Sequence, residues 1–210
     1  MVDAYRLRSP LAHLGLEARA HADADVSGTG VVMREIPYRG LINVRGDAGD
    51  ALFTAAVEKA VKLTPPLQPN TVAGKPSTTR IMWLGPDEWL VITKPEGAER
   101  ALNALRKTLK TDGLHAAVTD STHARTCIEI SGPRALEVLQ KGCPLDLHPS
   151  KFGPGQSAQC IVSKVGVMLT QTARARNGDP TYELYALRSF STYLWTWLED
   201  AAQEYGLKVG

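Results

Sequence analysis

Cysteine is scarce in this chain: Cys127, Cys143 and Cys160 are the three among 210 residues. Their number is odd and no two stand in a CxxC spacing, which argues against a disulfide framework and against a structural zinc site, and favours a reducing compartment. Histidine is equally thin. His13, His21, His115, His123 and His148 include no i, i+4 pair and no HExxH, so a metal centre is not expected. No Walker-type loop occurs. The nearest approach to a dinucleotide fingerprint, Gly28-Thr29-Gly30, lacks its third glycine, follows a polar stretch rather than a strand and precedes no clear helix. An excess of one charge is missing too: the formal net charge is +2 and the basic residues are dispersed, which excludes a nucleic-acid footprint while leaving small acidic ligands admissible. No run approaches the roughly 20 apolar residues needed to span a bilayer, and Met1-Val2-Asp3-Ala4-Tyr5-Arg6-Leu7-Arg8 has no apolar leader core. Together these absences predict a soluble, cytoplasmic protein.

What is present is a repeat. Leu41-Ile42-Asn43-Val44-Arg45-Gly46-Asp47 is echoed by Cys127-Ile128-Glu129-Ile130-Ser131-Gly132-Pro133, each a strand pattern ending in glycine. Each copy continues with an apolar helical pattern, a proline-rich turn (Pro65 to Pro69, then Pro144 to Pro149), two strand-like runs and a closing helix. Two copies of this length predict one domain of two half-repeats, 36–112 and 113–210, because a solenoid needs three or more shorter units to bury its core. Residues 1–35 have no sustained periodicity and are punctuated by Ser27-Gly28-Thr29-Gly30, so they are expected to form an N-terminal arm.

Within the first half, Leu52, Phe53, Ala56, Val57, Ala60 and Val61 mark a helix over 47–63 with Asp47 as its cap. Arg80 to Leu84 and Trp89 to Ile92, joined by Gly85-Pro86-Asp87-Glu88, predict a hairpin, and Ala98 to Leu109 a closing helix stopped by Asp112-Gly113. In the second half, Val165 to Leu169 and Tyr182 to Leu187 form a longer hairpin around Asn177-Gly178. A helix from about Ser189 to Tyr205 carries Phe190, Leu194, Trp197, Leu198 and Ala201 on one stripe, with Gly206 as its stop. Trp195 falls off that stripe, which makes it either a partner contact or padding at the edge of the core.

Two clusters could carry chemistry. Asp120-Ser121-Thr122-His123-Ala124-Arg125 brings an acid, two hydroxyls and an imidazole to the entry of a strand, enough for a base and its orienter. The structural alternative is that Asp120 and Thr122 satisfy turn backbone groups while His123 packs at the strand entry. In Lys141-Gly142-Cys143, the lysine could lower the pKa of the thiol, or the cysteine could be a buried, inert residue at a helix end.

Residues Asp120 to Ala135 resemble the Asp-x-Ser-His entry, strand and Gly-x-x-Ala helix start of the folate-binding domain of glycine-cleavage T-proteins. Leu145-Asp146-Leu147 and Pro154-Gly155 resemble two turns of the same fold. Within that superfamily, residues 36 to 206 are similar to the gamma-subunit family of heterotetrameric sarcosine oxidases. The most specific runs are Leu67 to Thr71, Trp83 to Leu90, Gly142 to Pro149 and Arg188 to Trp195. The resemblance implies an α+β fold built as a tandem pseudo-twofold repeat of antiparallel-sheet plus helix units. It also implies a complex that demethylates sarcosine oxidatively to glycine, yielding formaldehyde or 5,10-methylenetetrahydrofolate and hydrogen peroxide. The partners it implies are the alpha, beta and delta subunits; FAD, FMN, NAD, tetrahydrofolate and zinc would sit on those other subunits. On this chain it implies no catalytic, cofactor-binding or metal-binding residue. T-proteins carry a Gly-Gly-x-x-Asp-Asp type segment whose acid faces the folate amine, whereas the corresponding hairpin here, Ser163 to Leu169, has no carboxylate. Val, Met and Leu cannot accept a proton or a hydrogen bond in its place. The alternatives are a free-standing folate-dependent aminomethyltransferase using Asp120 and His123, or the equivalent subunit of an N-methylglutamate dehydrogenase.

Overall fold

A computed structural model describes residues 7–23, 28–111 and 113–210. Met1 to Arg6, Ser27 of the glycine-rich punctuation and Asp112 of the expected helix stop lie outside the described residues. In chain order the elements are α1 (Leu16–Ala22), β1 (Val31–Glu35), β2 (Gly40–Gly46), α2 (Ala51–Val61), β3 (Val72–Gly74), β4 (Arg80–Gly85), β5 (Glu88–Thr93) and α3 (Ala98–Leu109). The second half adds β6 (Ala116–Asp120), β7 (Arg125–Ser131), α4 (Ala135–Gln140), β8 (Ser157–Val162), β9 (Val165–Arg174), β10 (Pro180–Leu187), α5 (Ser191–Ala202) and β11 (Leu207–Val209). The fold is α+β, with one sheet ordered β3-β4-β5-β2-β6 and the other β11-β1-β7-β10-β9-β8.

Set side by side, the two orders reveal the repeat and a twist in it. β2 and β7 are the echoed strands; each is flanked on one side by its own hairpin, β5 for β2 and β10 for β7. On the other side each takes the strand that precedes the opposite copy: β1 pairs with β7, and β6 pairs with β2. Contacts therefore group the described part of Met1–Pro37 with Arg125–Pro154 and Gln159–Gly210, and Tyr38–Ala124 with Gly155–Ala158. These groupings cut the chain elsewhere than the boundaries of the two half-repeats, because each leading strand is traded. Part of the segment expected to be an arm is β1, a strand of the six-stranded sheet.

In the unit around Tyr38–Ala124, Ile42, Val44, Ile81, Trp89 and Val91 from the sheet meet Phe53 and Val57 of α2 and Leu105 and Leu109 of α3. Burying an aliphatic side chain of this size contributes about 1.5–3 kcal/mol. The Trp89 indole donates its Nε1–H to the Pro66 carbonyl at 2.8 Å, which ties the proline-rich turn to the core. Helix α2 starts later than its pattern predicts. Asp50, not Asp47, is the cap, accepting from the Leu52 N–H at 2.8 Å; Asp47 instead accepts from Gly49 in the turn before it.

In the other unit, α4 and α5 pack against β10 and against each other. Residues 175–179 close the β9–β10 hairpin, with Gly178 at φ +92°, a conformation that side chains resist. The buried stripe of α5 is Ser191, Leu194, Trp195, Leu198, Ala201 and Ala202, a clean i, i+3, i+4, i+7 series. It is rotated from the expected stripe because Phe190 belongs to a 3-10 turn, Arg188–Phe190, whose phase does not continue the helix. Gly206 ends the helical segment as expected, but the chain then forms β11, parallel to β1.

Candidate functional site

The Asp120 cluster lies in the unit around Tyr38–Ala124 and is occupied with structure. Asp120 Oδ1 accepts from the Thr122 N–H at 3.0 Å, Thr122 Oγ1 accepts from the Leu41 N–H at 3.2 Å, and the Ser121 N–H reaches the Leu41 carbonyl at 2.8 Å. The acid and the hydroxyl are thus committed to the turn that links β6 to β7. His123 is exposed in that turn, and among the described residues no hydrogen bond joins it to Asp120. A base needs its orienter within hydrogen-bond reach. This arrangement caps a turn.

The glycine-rich punctuation has a mechanical explanation as well. Gly30 donates its N–H to the carbonyls of Tyr205 and Gly206 at 2.9 and 3.0 Å, and a side chain at Gly30 would run into the Tyr205 carbonyl. Its backbone donor is therefore engaged by the corner before β11 and does not face a phosphate. Among the described residues no three His, Cys, Asp or Glu side chains group as metal ligands. His148 Nδ1 contacts Ser150 Oγ at 2.8 Å within its own turn.

The tryptophans divide differently from expectation. Trp195 is fully buried within its unit, and its Nε1–H has no hydrogen-bond partner among the described residues. It is a core residue, and the partner-contact reading of it is corrected. Trp197 is half-buried and packs against Gly142, where a Cβ would come within 2.5 Å of the indole.

Lys141 does not serve Cys143. Its ammonium reaches the Ala201 carbonyl at 2.5 Å, pairs with Glu204 and sits 4.6 Å from the Tyr205 ring centroid; the Glu204 carboxylate holds it above the usual lysine range. The neighbour of Cys143 is Cys160 on β8, with the two sulfurs 3.8 Å apart. Hydrogen bonding from the Cys160 thiol, aided by the Leu145 backbone, lowers the Cys143 thiol to about 6, and the same contact pushes Cys160 up. Cys160 also lines an open pocket of about 300 Å³ with Arg125, Gln159, Ile161, Gly166, Val167 and Met168. No sequence spacing points to this pair, since the two stand 17 positions apart with the proline-rich turn between them.

A polar row on the six-stranded sheet, exposed at Arg34 and buried at its other three positions, has no signal in the sequence patterns. Arg34, Glu129, Glu183 and Thr170 stand opposite one another across β1, β7, β10 and β9. Arg34 Nε donates to Glu129 at 2.7 Å and the Tyr185 hydroxyl donates to Glu183. Glu183 is 1% exposed and Glu129 8%. The sheet thus holds carboxylates although Ser163 to Leu169 holds none. The Arg34 guanidinium pairs with Glu129 and the Tyr185 phenol donates a hydrogen bond to Glu183, which suits a structural layer.

Residues 45–204 match the model of the "Sarcosine oxidase, gamma subunit family". The "Sarcosine oxidase subunit gamma" of Corynebacterium sp. (strain P-1) is 37% identical over 198 residues, covering 94% of this chain and 91% of that protein. The protein of the same description from Corynebacterium sp. (strain U-96) is 33% identical over 210 residues, covering 98% and 95%. A chain of the solved "Heterotetrameric Sarcosine Oxidase from Corynebacterium sp. U-96 in complex with pyrrole 2-carboxylate" superposes with a TM-score of 0.83 at 30% identity, over 95% of this chain and 96% of that one. The glycine cleavage system aminomethyltransferase T from Bartonella henselae superposes with a TM-score of 0.62 at 14% identity, over 93% of this chain and 51% of that one. The last likeness is one of fold alone.

Proposed function

The chain belongs to the sarcosine oxidase gamma subunit family, and from that premise we propose that it serves as a structural subunit of a heterotetrameric oxidase. That complex would demethylate sarcosine to glycine and pass the one-carbon unit to tetrahydrofolate or release it as formaldehyde, with oxygen reduced to hydrogen peroxide. The observation that carries the reading is the end-to-end match, 95% of this chain on 96% of a chain from a heterotetrameric sarcosine oxidase. A chain that aligns whole with one member of an assembly is most simply a member of such an assembly. The engaged state of Asp120 and the exposed, separate His123 support a role without an active site of its own. Leu187, Phe190 and Tyr193, each more than two-fifths exposed within seven residues, supply apolar surface that an assembly would cover.

In this reading the partners are alpha, beta and delta subunits in the cytoplasm, and FAD, FMN, NAD, tetrahydrofolate and zinc are held by them. The duplicated pattern supports treating residues 36–210 as one domain of two half-repeats. The aminomethyltransferase alternative is not favoured: the likeness to that enzyme is one of fold, spanning about half of it. Co-expression of the four subunits, with purification through a tag on this chain, tests the proposal. A yellow complex that releases peroxide on sarcosine supports it. Failure to recover partners, or a complex that oxidises N-methylglutamate and not sarcosine, refutes it.

A further inference from the structure

We propose that Cys143 and Cys160 form a reversible intrachain disulfide on contact with a hydroperoxide, so that this edge of the six-stranded sheet is a peroxide-responsive dithiol site. The backbone brings the two thiols together and holds them there. Cys143 follows α4, with its N–H donated to the Leu139 carbonyl at 2.8 Å; Cys160 lies on β8, the sheet's edge strand. The adjoining Ser163 N–H is bonded to the Gly142 carbonyl at 2.9 Å, which ties the β8–β9 turn directly to the residue before Cys143. The sulfurs are 3.8 Å apart and must approach to about 2.05 Å for a bond.

Access and reactivity agree with the geometry. Cys143 is 6% exposed and its neighbour Cys160 lines the open pocket with Arg125, Gln159 and Met168, so a small peroxide in that pocket lies beside the Cys160 sulfur, which is 3.8 Å from that of Cys143. Hydrogen bonding to its sulfur favours Cys143 as the thiolate. The Cys143 thiolate attacks one peroxide oxygen: an S–O bond forms, the O–O bond breaks and hydroxide leaves, to be protonated by solvent. The Cys160 thiol then attacks the sulfenic sulfur: the S–S bond forms, the S–O bond breaks, and the oxygen leaves as water with the thiol proton. Two thiols are oxidised and one hydrogen peroxide is reduced to two waters.

Added hydrogen peroxide on the reduced full chain tests this independently of the function proposed above. After brief exposure, catalase quenching and alkylation, non-reducing tryptic digestion should yield Gly142–Lys151 joined to Phe152–Lys164. The cross-link should vanish with dithiothreitol and form independently of protein concentration. Cys127, buried on β7 in the peptide Thr126–Arg134, should remain alkylated. In Cys160→Ser the sulfenic acid should persist on Cys143 and be trapped by dimedone. The proposal is overturned if Cys143 and Cys160 lose no more alkylation than Cys127, if the cross-link joins only separate chains, or if Cys143 in Cys160→Ser yields no dimedone adduct.

Discussion

Trp195→Ala separates a core residue from a partner contact. The side chain is wholly buried within the unit that holds α5, among Leu194, Leu198 and Ala202 on the same helical stripe, and α5 is packed against α4 and β10. Truncating an aromatic in such a place removes its transfer free energy and leaves a cavity that a helix held on two sides cannot close, a loss of about 3–5 kcal/mol. At about 2–4 °C per kcal/mol for a chain of this length, the midpoint of thermal unfolding should fall by on the order of 10 °C. Trp195→Phe serves as the control. It shortens the ring system but also removes the unpartnered Nε1–H, whose burial costs about 1–3 kcal/mol, so it should stay within about 1.5 kcal/mol of the parent. Urea denaturation of the isolated chain, followed by circular dichroism, reads both. If Trp195→Ala unfolds within about 0.5 kcal/mol of the parent while failing to join its partners, the residue is an interface contact and the packing of α5 is misassigned.

Other substitutions probe other parts of the account. Asp120→Ala should cost about 0.5–1.5 kcal/mol by freeing the Thr122 N–H, whereas His123→Ala should be within about 0.5 kcal/mol in stability and leave the activity of the assembled complex unchanged; loss of activity with His123→Ala would restore the site reading. Gly46→Ala drives a Cβ into the Phe53 ring, whose centroid lies 5.4 Å from that of Trp89 in a tilted contact, and should cost about 1–3 kcal/mol in chemical denaturation; an unchanged midpoint would contradict the close packing. Burial raises the Glu35 pKa against the opposing hydrogen bonds from Ser9 and Thr126 and the charge of Arg188. The stability this group contributes is therefore complete below its unfolded pKa and is lost as pH rises through the folded value. Thermal scans from about pH 4 to about pH 8 should show Glu35→Gln gaining on the parent as pH rises; a constant difference would refute the burial argument.

Local signals were legible where local chemistry decides. The β4–β5 hairpin follows from Gly85-Pro86-Asp87-Glu88, and α3 occupies Ala98–Leu109 as its periodicity required. What the pattern could not show is which strand pairs with which. β1 and β6 are short strands with little to distinguish their partners, and each crosses to the opposite copy's sheet. The α5 stripe was misphased by Phe190, an apolar residue outside the helix, while Leu52, an apolar residue inside α2, is 66% exposed. Glu129 and Glu183 give no signal because a charge within a strand pattern reads as a solvated face, and here both residues are buried. At Asp120 the structural alternative holds for Asp120 and Thr122, since Asp and Thr beside a strand entry are first of all turn formers, but His123 is exposed and does not pack at the strand entry. The Cys143–Cys160 pair is a tertiary fact with no one-dimensional trace.

The central claim is that this chain acts by assembly and has no chemistry on sarcosine alone. Its most direct test compares the isolated chain with the co-purified complex in a sarcosine-dependent peroxide assay, alongside tetrahydrofolate binding by the isolated chain. The account predicts an active complex and an isolated chain that neither turns over sarcosine nor binds folate. Turnover or folate binding by the chain alone would contradict it.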